Sequence, residues 1–442
     1  MVAAMELGDL GDLRSYVHQH SLDANYEHAT PLPHASMVLL ALQLFLGLGH
    51  IHDKGLIHRD IAARSVVIAS SKGGVATAKI SGFGDAREIG ERGSYTLGRE
   101  VVDDGELLMI PPQHSPPEAF KKRRDVKAKG KLAYLADAAG DMWAAGVTLY
   151  EMLTDCSGGD LEGPYLEEGT ISVVDGDGVK ATSLPDVASI SSFVDGGGRL
   201  HIPSGCPPIF SVIMNALWSE DPALRPSSYQ VVCFLAQRCD FLQPEYDSVA
   251  NIAVMSPLDA AAAKMLSRAL AQDFLWPDGD RCSLAGAIEA VSYRAEQEEG
   301  WAAAQHAMGQ RLDSHFDVES IDTTPLGTSR KGLVSEDSVV SSVTVATNHT
   351  ELDIANVEVR GEIGHGECGR LYGGTLTVDL PSGHRTKIDV ALKQPKPAHV
   401  KKKVDARVED ALRYESGLLT WLNSPFVVRG YGCAQHPSGG RT

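Results

Sequence analysis

Apolar residues along the first 240 positions recur at helical spacing. Val38, Leu42, Phe45, Leu46, Leu48 and Ile51 put one apolar face on a helix from Met37 to His52. The same period predicts helices over Asp141–Leu153, Phe210–Trp218 and Ser227–Gln237, the last beginning after Arg225-Pro226. Two polar stretches interrupt them: a basic run from Lys121 to Lys131, and a Gly-rich acidic stretch from Cys156 to Asp186 that reads as a surface loop. From 241 to 350 the pattern changes. Pro257–Phe274 and Ser283–Phe316 read as two alanine-rich helices, and Asp317–Thr350 is a Ser/Thr/Asp-rich linker expected to be disordered. From 351 onward the period is that of strands. Val357–Ile363, Gly369–Leu376 and Ile388–Lys393 are separated by turn residues. A helix over Val404–Leu422 and a strand over Phe426–Tyr431 follow. The chain therefore divides into 1–240, a linker region 241–350, and 351–442, in an α+β arrangement with the mostly helical part first.

Composition narrows this picture. A hydrophobic content of 43% is that of an ordinary globular protein. A formal net charge of −18 argues against a nucleic-acid partner, which would require a basic face. The 7 cysteines include no CxxC pair, so they suggest neither a zinc site nor a disulfide framework. A reducing, intracellular and cytoplasmic setting is the expectation. The apolar run Met37–Leu48 is too short to cross a bilayer, and no membrane segment is expected in this chain. The sequon at Asn348-His349-Thr350 reads as chance.

The chemistry is concentrated in a few short motifs. His58-Arg59-Asp60-Ile61-Ala62-Ala63-Arg64-Ser65 is followed by the apolar Val66-Val67-Ile68. Ile80-Ser81-Gly82-Phe83-Gly84 lies beyond it, then Pro116-Pro117-Glu118, Asp141 before Trp143, and Asp221-Pro222 with Arg225-Pro226. Near the start, Met5-Glu6-Leu7-Gly8 precedes Gly11-Asp12-Leu13. In the last part, Ile363-Gly364-His365-Gly366-Glu367-Cys368-Gly369-Arg370-Leu371 is a glycine-rich loop whose backbone can close over phosphates. Val390-Ala391-Leu392-Lys393 and a helix bearing Glu415 follow it.

These motifs, in this order within each part, resemble those of protein kinases, and the Ala62-Ala63-Arg64 run resembles the tyrosine kinases. The resemblance implies a helical C-lobe in 1–240 and an N-lobe, a β-sheet with one helix, in 351–442. It implies ATP held by Ile363, Gly364, Gly366, Gly369, Leu371, Ala391 and Lys393 with the hinge residues Glu6 and Gly8. Lys393 would pair with Glu415, Glu118 with Arg225, and Asp60 would orient the hydroxyl of a protein substrate. Cys368 takes the place of the usual aromatic at the loop tip.

The resemblance fails at the metal. The family's two magnesium ligands, an Asn and an Asp, fall on Ser65 and Gly82. Serine offers one neutral oxygen and glycine none. Magnesium is therefore expected of an intact parent kinase but not of this chain, and Asp60 reads as a retained hydrogen-bonding loop residue. Asp85 is an alternative carboxylate. Met109–His114 replaces the family's peptide-docking segment, Tyr95 is a candidate phosphosite, and the Lys121–Lys131 run reads as a solvated loop.

Three readings follow: a parent kinase of which this chain is a weakly active or inactive part, a pseudokinase scaffold that binds a neighbouring kinase domain in signal transduction, and a helical interaction module over 257–316. The lobes occur in reversed order. The expected explanation is a tandem pair of kinase domains resembling the Janus kinases, with each lobe belonging to a different domain. The alternative is a circular permutant whose linker of about 110 residues reaches roughly 55–60 Å, enough to dock the lobes in cis.

Overall fold

The computed structural model describes residues 1–23, 32–70, 76–88, 112–119, 138–154, 187–202, 206–238, 281–298, 301–313, 350–365, 369–379, 384–395 and 406–435, with short pieces at 95–96, 135–136, 171–175, 178–182, 268, 270–271 and 273–275. Tyr95 is described in backbone only. The Lys121–Lys131 run, residues 109–111 of the Met109–His114 segment, Gly366 and Cys368 lie outside the described residues.

The organising helix is His34–Asp53, 20 residues long. By length and composition it could cross a membrane, so the shorter run read from the sequence understates it. Its environment is protein: Leu42, Phe45, Leu48 and Ile51 are fully buried. It packs against the Ser228–Arg238 helix and the Ala76–Ile80 strand. Even its polar Gln43 is buried, with Oε1 accepting the Ala78 N–H at 2.7 Å. The Ala138–Thr154 helix also packs on it, and the Leu13–Asp23 and Pro208–Leu217 helices pack on that helix in turn.

The second structural unit is a five-stranded antiparallel sheet. Its spatial order is Val357–His365, Gly369–Asp379, Arg385–Pro395, Val2–Glu6, Gly430–Ala434. The first strand of the chain is thus flanked on both sides by strands from its last segment, with Ala4 opposite Leu392 on one side and Ala3 opposite Cys433 on the other. The sheet joins what the sequence assigns to two separate domains. The physical reason is burial on both faces. Val2 and Ala4 pack with Leu376, Val390 and Leu392, whereas Ala3 and Met5 join the main core beside Leu418 and Leu419. A strand buried on both faces needs ladder partners on both edges, and the last segment supplies them.

The chain following the Ala406–Leu422 helix completes the join. Phe426–Tyr431 is not the expected strand; the strand is Gly430–Ala434. Phe426 and Val428 instead direct their backbone at Ile80, with Ile80 N–H donating to Phe426 O at 2.9 Å and Val428 N–H to Ile80 O at 2.8 Å. Gly47 admits this loop, since a Cβ there would fall 2.6 Å from Phe426 O. His50 Nε2 donates to Leu422 O at 2.7 Å, and burial, the largest influence, lowers the pKa of the ring and keeps it neutral.

The outer edge of the Gly430–Ala434 strand is covered by Thr350–Leu352. Leu352 N–H donates to Cys433 O at 2.8 Å and Cys433 N–H to Thr350 O at 3.0 Å. Gly432 makes this approach possible. Its φ is 130°, and a Cβ would lie 2.2 Å from Thr350 O. Gly432→Val should therefore cost more than about 1 kcal/mol, read as a lower denaturant midpoint at unchanged m-value.

Other expectations change locally. The Cys156–Asp186 stretch contains a hairpin, Ile171–Asp175 with Gly178–Thr182, extended by Arg199–Leu200. The helix expected to end at Phe274 gives way to a strand, Asp273–Leu275, paired with Arg281–Ser283. Pro277-Asp278-Gly279 is a turn signature between those strands that the helical pattern obscured. The helix expected over Ser283–Phe316 is two, Leu284–Gln297 and Trp301–Asp313, the first capped by Ser283 Oγ, which accepts the Gly286 N–H at 3.1 Å.

These two helices pack on the helical lobe. Leu284, Ala295 and Met308 are fully buried against the helical lobe. Arg294 grips Asp53 with two hydrogen bonds of 2.6 and 2.7 Å, and Tyr229 donates to the same carboxylate at 2.9 Å.

Candidate functional site

The loop from His58 to Ser65 is built around a buried carboxylate. Asp141, on the Ala138–Thr154 helix, accepts the backbone N–H groups of His58 and Arg59, each at 2.8 Å, and His52 Nε2 at 3.0 Å. Burial alone would raise the Asp141 pKa, but these donors and the neighbouring histidines outweigh it and hold the carboxyl below its ordinary value. Arg59 takes a positive φ of 71°, which the anchoring by Asp141 sustains. His58 donates from Nε2 to Ser81 O at 2.9 Å and stacks edge-on with Phe83 at 4.6 Å between centroids. The loop is thereby tied to the Gly82-Phe83-Gly84 turn.

A second buried carboxylate braces the other side of the loop. Glu151 Oε2 accepts the Ala63 N–H at 2.8 Å and His114 Nε2 at 3.1 Å. Sequence reading missed both Glu151 and His114. The only signal was a charged residue at an apolar helical position, between Leu149 and Met152. Farther out, Arg225 forks onto Glu118 at 2.7 and 2.9 Å, and its guanidinium is fully buried.

Asp60 is bound by Arg64. Burial raises its pKa most, with Asp85 adding to the rise and Arg64 opposing it. A carboxylate with a raised native pKa costs stability once pH exceeds its unfolded value, about 3.9. Asp60→Asn should therefore raise the melting temperature at neutral pH while removing any residual phosphoryl transfer; a calorimetric scan beside an activity assay checks both.

The two positions of the family's metal ligands face each other. A Cβ on Gly82 would lie 3.5 Å from Ser65 Cβ, an ordinary contact. Gly82 adopts φ 82°, which glycine takes without strain. The Ser65 hydroxyl is turned back into its own loop, donating to Asp60 O at 2.6 Å and accepting the Ala62 N–H at 2.9 Å. Among the described residues, no group of three or more His, Cys, Asp or Glu side chains is arranged to hold a metal. The residues present do not fit magnesium. Asp85 is close enough to Asp60 to perturb it, but its own position rests on the Arg59 guanidinium, which donates to Asp85 O at 3.2 Å.

The last segment carries the residues that the resemblance assigns to a nucleotide. Lys393 Nζ meets Glu415 Oε2 at 2.7 Å, with the lysine side chain 20% and the glutamate 5% exposed. This pair sits at the same turn: a Cβ on Gly84 would lie 4.0 Å from Glu415 Oε2. Ala391 is buried, Leu371 is half-buried, and Ile363 is exposed at 52%. Gly364 opens to free space, and Gly369 is buried at the start of the returning strand. At the hinge, the Glu6 carboxylate is taken by Lys79 at 3.0 Å and by Arg429 N–H at 3.2 Å. Any contact of Glu6 with a base is thus left to its backbone. Gly8 closes against the strand below, where a Cβ would fall 2.7 Å from Val67 Cβ.

The sequence profile of the protein tyrosine and serine/threonine kinases matches residues 1–235, more than half of the chain. The chain belongs to this kinase family. Among its relatives is a protein of Lymnaea stagnalis described as a molluscan insulin-related peptide receptor, 27% identical over 246 residues. Another, of Hydra vulgaris, is described as an insulin-like peptide receptor and is 28% identical over 236 residues. The alignments take in 55% and 53% of this chain but only 12% and 13% of those receptors. Lys393 and Glu415 lie outside the matched residues, and the contact between them is the one the resemblance implies.

Proposed function

We propose that residues 1–238 and 350–435 act as a single bilobal kinase-family domain, tyrosine-kinase-like. In this reading it binds an adenine nucleotide but transfers phosphate slowly or not at all. The observation that carries this reading is the Lys393–Glu415 ion pair beside the Gly82-Phe83-Gly84 turn. The pair comes from the last segment and the turn from the first, so the nucleotide contacts and Asp60 serve one cleft. The Arg64–Asp60 pair supports the tyrosine-like assignment. A tandem parent protein is compatible with this reading if the flanking sequence supplies further kinase lobes.

The role that follows is regulatory. Asp141, Glu151 and the Arg225–Glu118 fork maintain the shape of the loop and the lobe. A cleft with that shape and no metal ligands suits a module that binds and restrains a neighbouring kinase domain. Losing one preorganised charge-stabilising contact costs roughly 10²–10³ in rate, and here two are absent.

The test is nucleotide binding and peptide phosphorylation by the intact chain. Adenine-nucleotide binding should shift its melting temperature, and Lys393→Ala should abolish most of that shift. Phosphorylation of a tyrosine peptide at about 1–100 s⁻¹, the ordinary range for kinases, would overturn the inactive reading.

A further inference from the structure

The last turn of the His34–Asp53 helix touches several parts of the fold at once. His50 Nε2 donates to Leu422 O, at the end of the Ala406–Leu422 helix. Just beyond the turn, Lys54 Nζ lies 5.6 Å from the centre of the Trp421 ring. His52 Nε2 bonds the Asp141 carboxylate at 3.0 Å, and that carboxylate accepts the His58 and Arg59 N–H groups. Asp53 is the last residue of the helix, and its carboxylate is bound from the Leu284–Gln297 and Ser228–Arg238 helices.

A carboxylate is out of place at a helix C-terminus, where the helix dipole opposes its charge. Arg294 offsets it, with two hydrogen bonds of 2.6 and 2.7 Å in a fork. The Tyr229 hydroxyl adds a third at 2.9 Å, and the Arg294 guanidinium lies 5.1 Å from the Tyr229 ring. That ring fills the space left by Gly49 on the same helix, where a Cβ would fall 2.2 Å from Tyr229 Cε1. Arg294 is 55% exposed, and an ion pair so exposed adds little to global stability. Its consequence is local, because the neighbouring residue on the turn is His52.

We infer that Arg294 is a positioning residue for the His58–Ser65 loop: by gripping Asp53 it fixes the turn from which His52 orients Asp141. The Leu284–Gln297 helix, outside the residues matched by the kinase profile, thereby becomes a brace of the cleft. The inference rests on reading that loop as part of a nucleotide cleft and deepens it. Releasing Arg294 leaves the end of the His34–Asp53 helix free to fray, and the His58 and Arg59 amides open with it.

Hydrogen exchange of the intact chain at residue resolution tests this. In Arg294→Ala the His58 and Arg59 amides should exchange about two- to fivefold faster. The Ala63 amide should be unchanged, because Glu151 holds it independently of His52. Asp53→Asn keeps an acceptor for Tyr229 but loses the charge, and should give the same pattern. Gln237→Ala removes a different bond to the Leu284–Gln297 helix, the 2.7 Å contact with Glu296, and should leave all three amides as they are.

No acceleration at His58 and Arg59, or equal acceleration at Ala63, would overturn the inference. So would the same pattern in Gln237→Ala, since any loosening of the helix would then suffice. His58 and Arg59 amides that are unprotected in the parent chain would overturn the anchored loop and the brace together. The nucleotide-dependent melting shift tests the nucleotide reading separately, so its absence leaves the exchange result standing.

Discussion

Ser65→Asn combined with Gly82→Asp should raise phosphoryl transfer by at least roughly 10²–10³ and make it magnesium-dependent. Two other parts are already in place among the described residues. Lys393 and Glu415 are paired at 2.7 Å. His58 and Phe83 are stacked at 4.6 Å, so the turn bearing position 82 is fixed against the loop bearing position 65. A Cβ at position 82 would meet only Ser65 Cβ, at 3.5 Å. The backbone there has φ 82°, a conformation that aspartate tolerates better than most residues, at a cost of roughly 1–2 kcal/mol. Each single variant should recover less than the pair, because two ligands on facing positions act as a unit. Peptide phosphorylation measured across a magnesium titration checks this. Turnover by the folded double variant no higher than that of the parent chain would mean that something besides the metal ligands limits catalysis.

Asp141→Ala should destabilise the domain by roughly 3–5 kcal/mol, a large share of the 5–15 kcal/mol typical of a folded domain. The carboxylate is 3% exposed and accepts three donors, two of them backbone N–H groups of the His58–Arg59 peptide units. Alanine leaves those groups buried without acceptors. Arg59 would also lose what holds its positive φ. The pH dependence has a definite sign. The native pKa of Asp141 is depressed, as is that of Glu151. Such groups contribute stability that is fully present above the ordinary carboxylate values of about 3.9 and 4.3 and is lost as pH falls through the lower native values. Asp60 acts in the opposite sense, because its native pKa is raised. Denaturant titrations from neutral pH down into the acid range should therefore show a decline that is shallower in Asp141→Ala than in the parent chain.

Much of the cleft is legible in the sequence. The His58–Ser65 loop, the Glu118 and Arg225 motifs, and the Lys393 and Glu415 motifs each occupy a few consecutive residues whose spacing is set by local chemistry. What the pattern hides is non-local. Glu151 and His114 are 37 positions apart and meet only when the helix and the segment before it are packed. The helices of 284–313 carry apolar faces, and periodicity cannot say which surface those faces cover. The stretch Phe426–Tyr431 has the composition of a strand because Phe426 and Val428 pack and bond against Ile80, not because they lie in the sheet.

The joining of the two ends also has a signal in the chain. Val2, Ala3, Ala4 and Met5 are four consecutive apolar residues, a pattern without the alternation of a half-exposed strand. Such a run marks a central strand buried on both faces, and residues 7–240 offer it no obvious sheet to enter. Val390-Ala391-Leu392 carries the same signature, and the two strands are antiparallel neighbours in the structure.

Hydrogen exchange of the Val2–Glu6 amides in the intact chain, followed by mass spectrometry, tests the central claim most directly. The account predicts that these amides are protected to the same degree as those of Val390–Lys393, since the strand is paired with Arg385–Pro395 on one side and Gly430–Ala434 on the other. Exchange of Val2–Glu6 at the rate of a free chain, beside a protected Val390–Lys393, would contradict it.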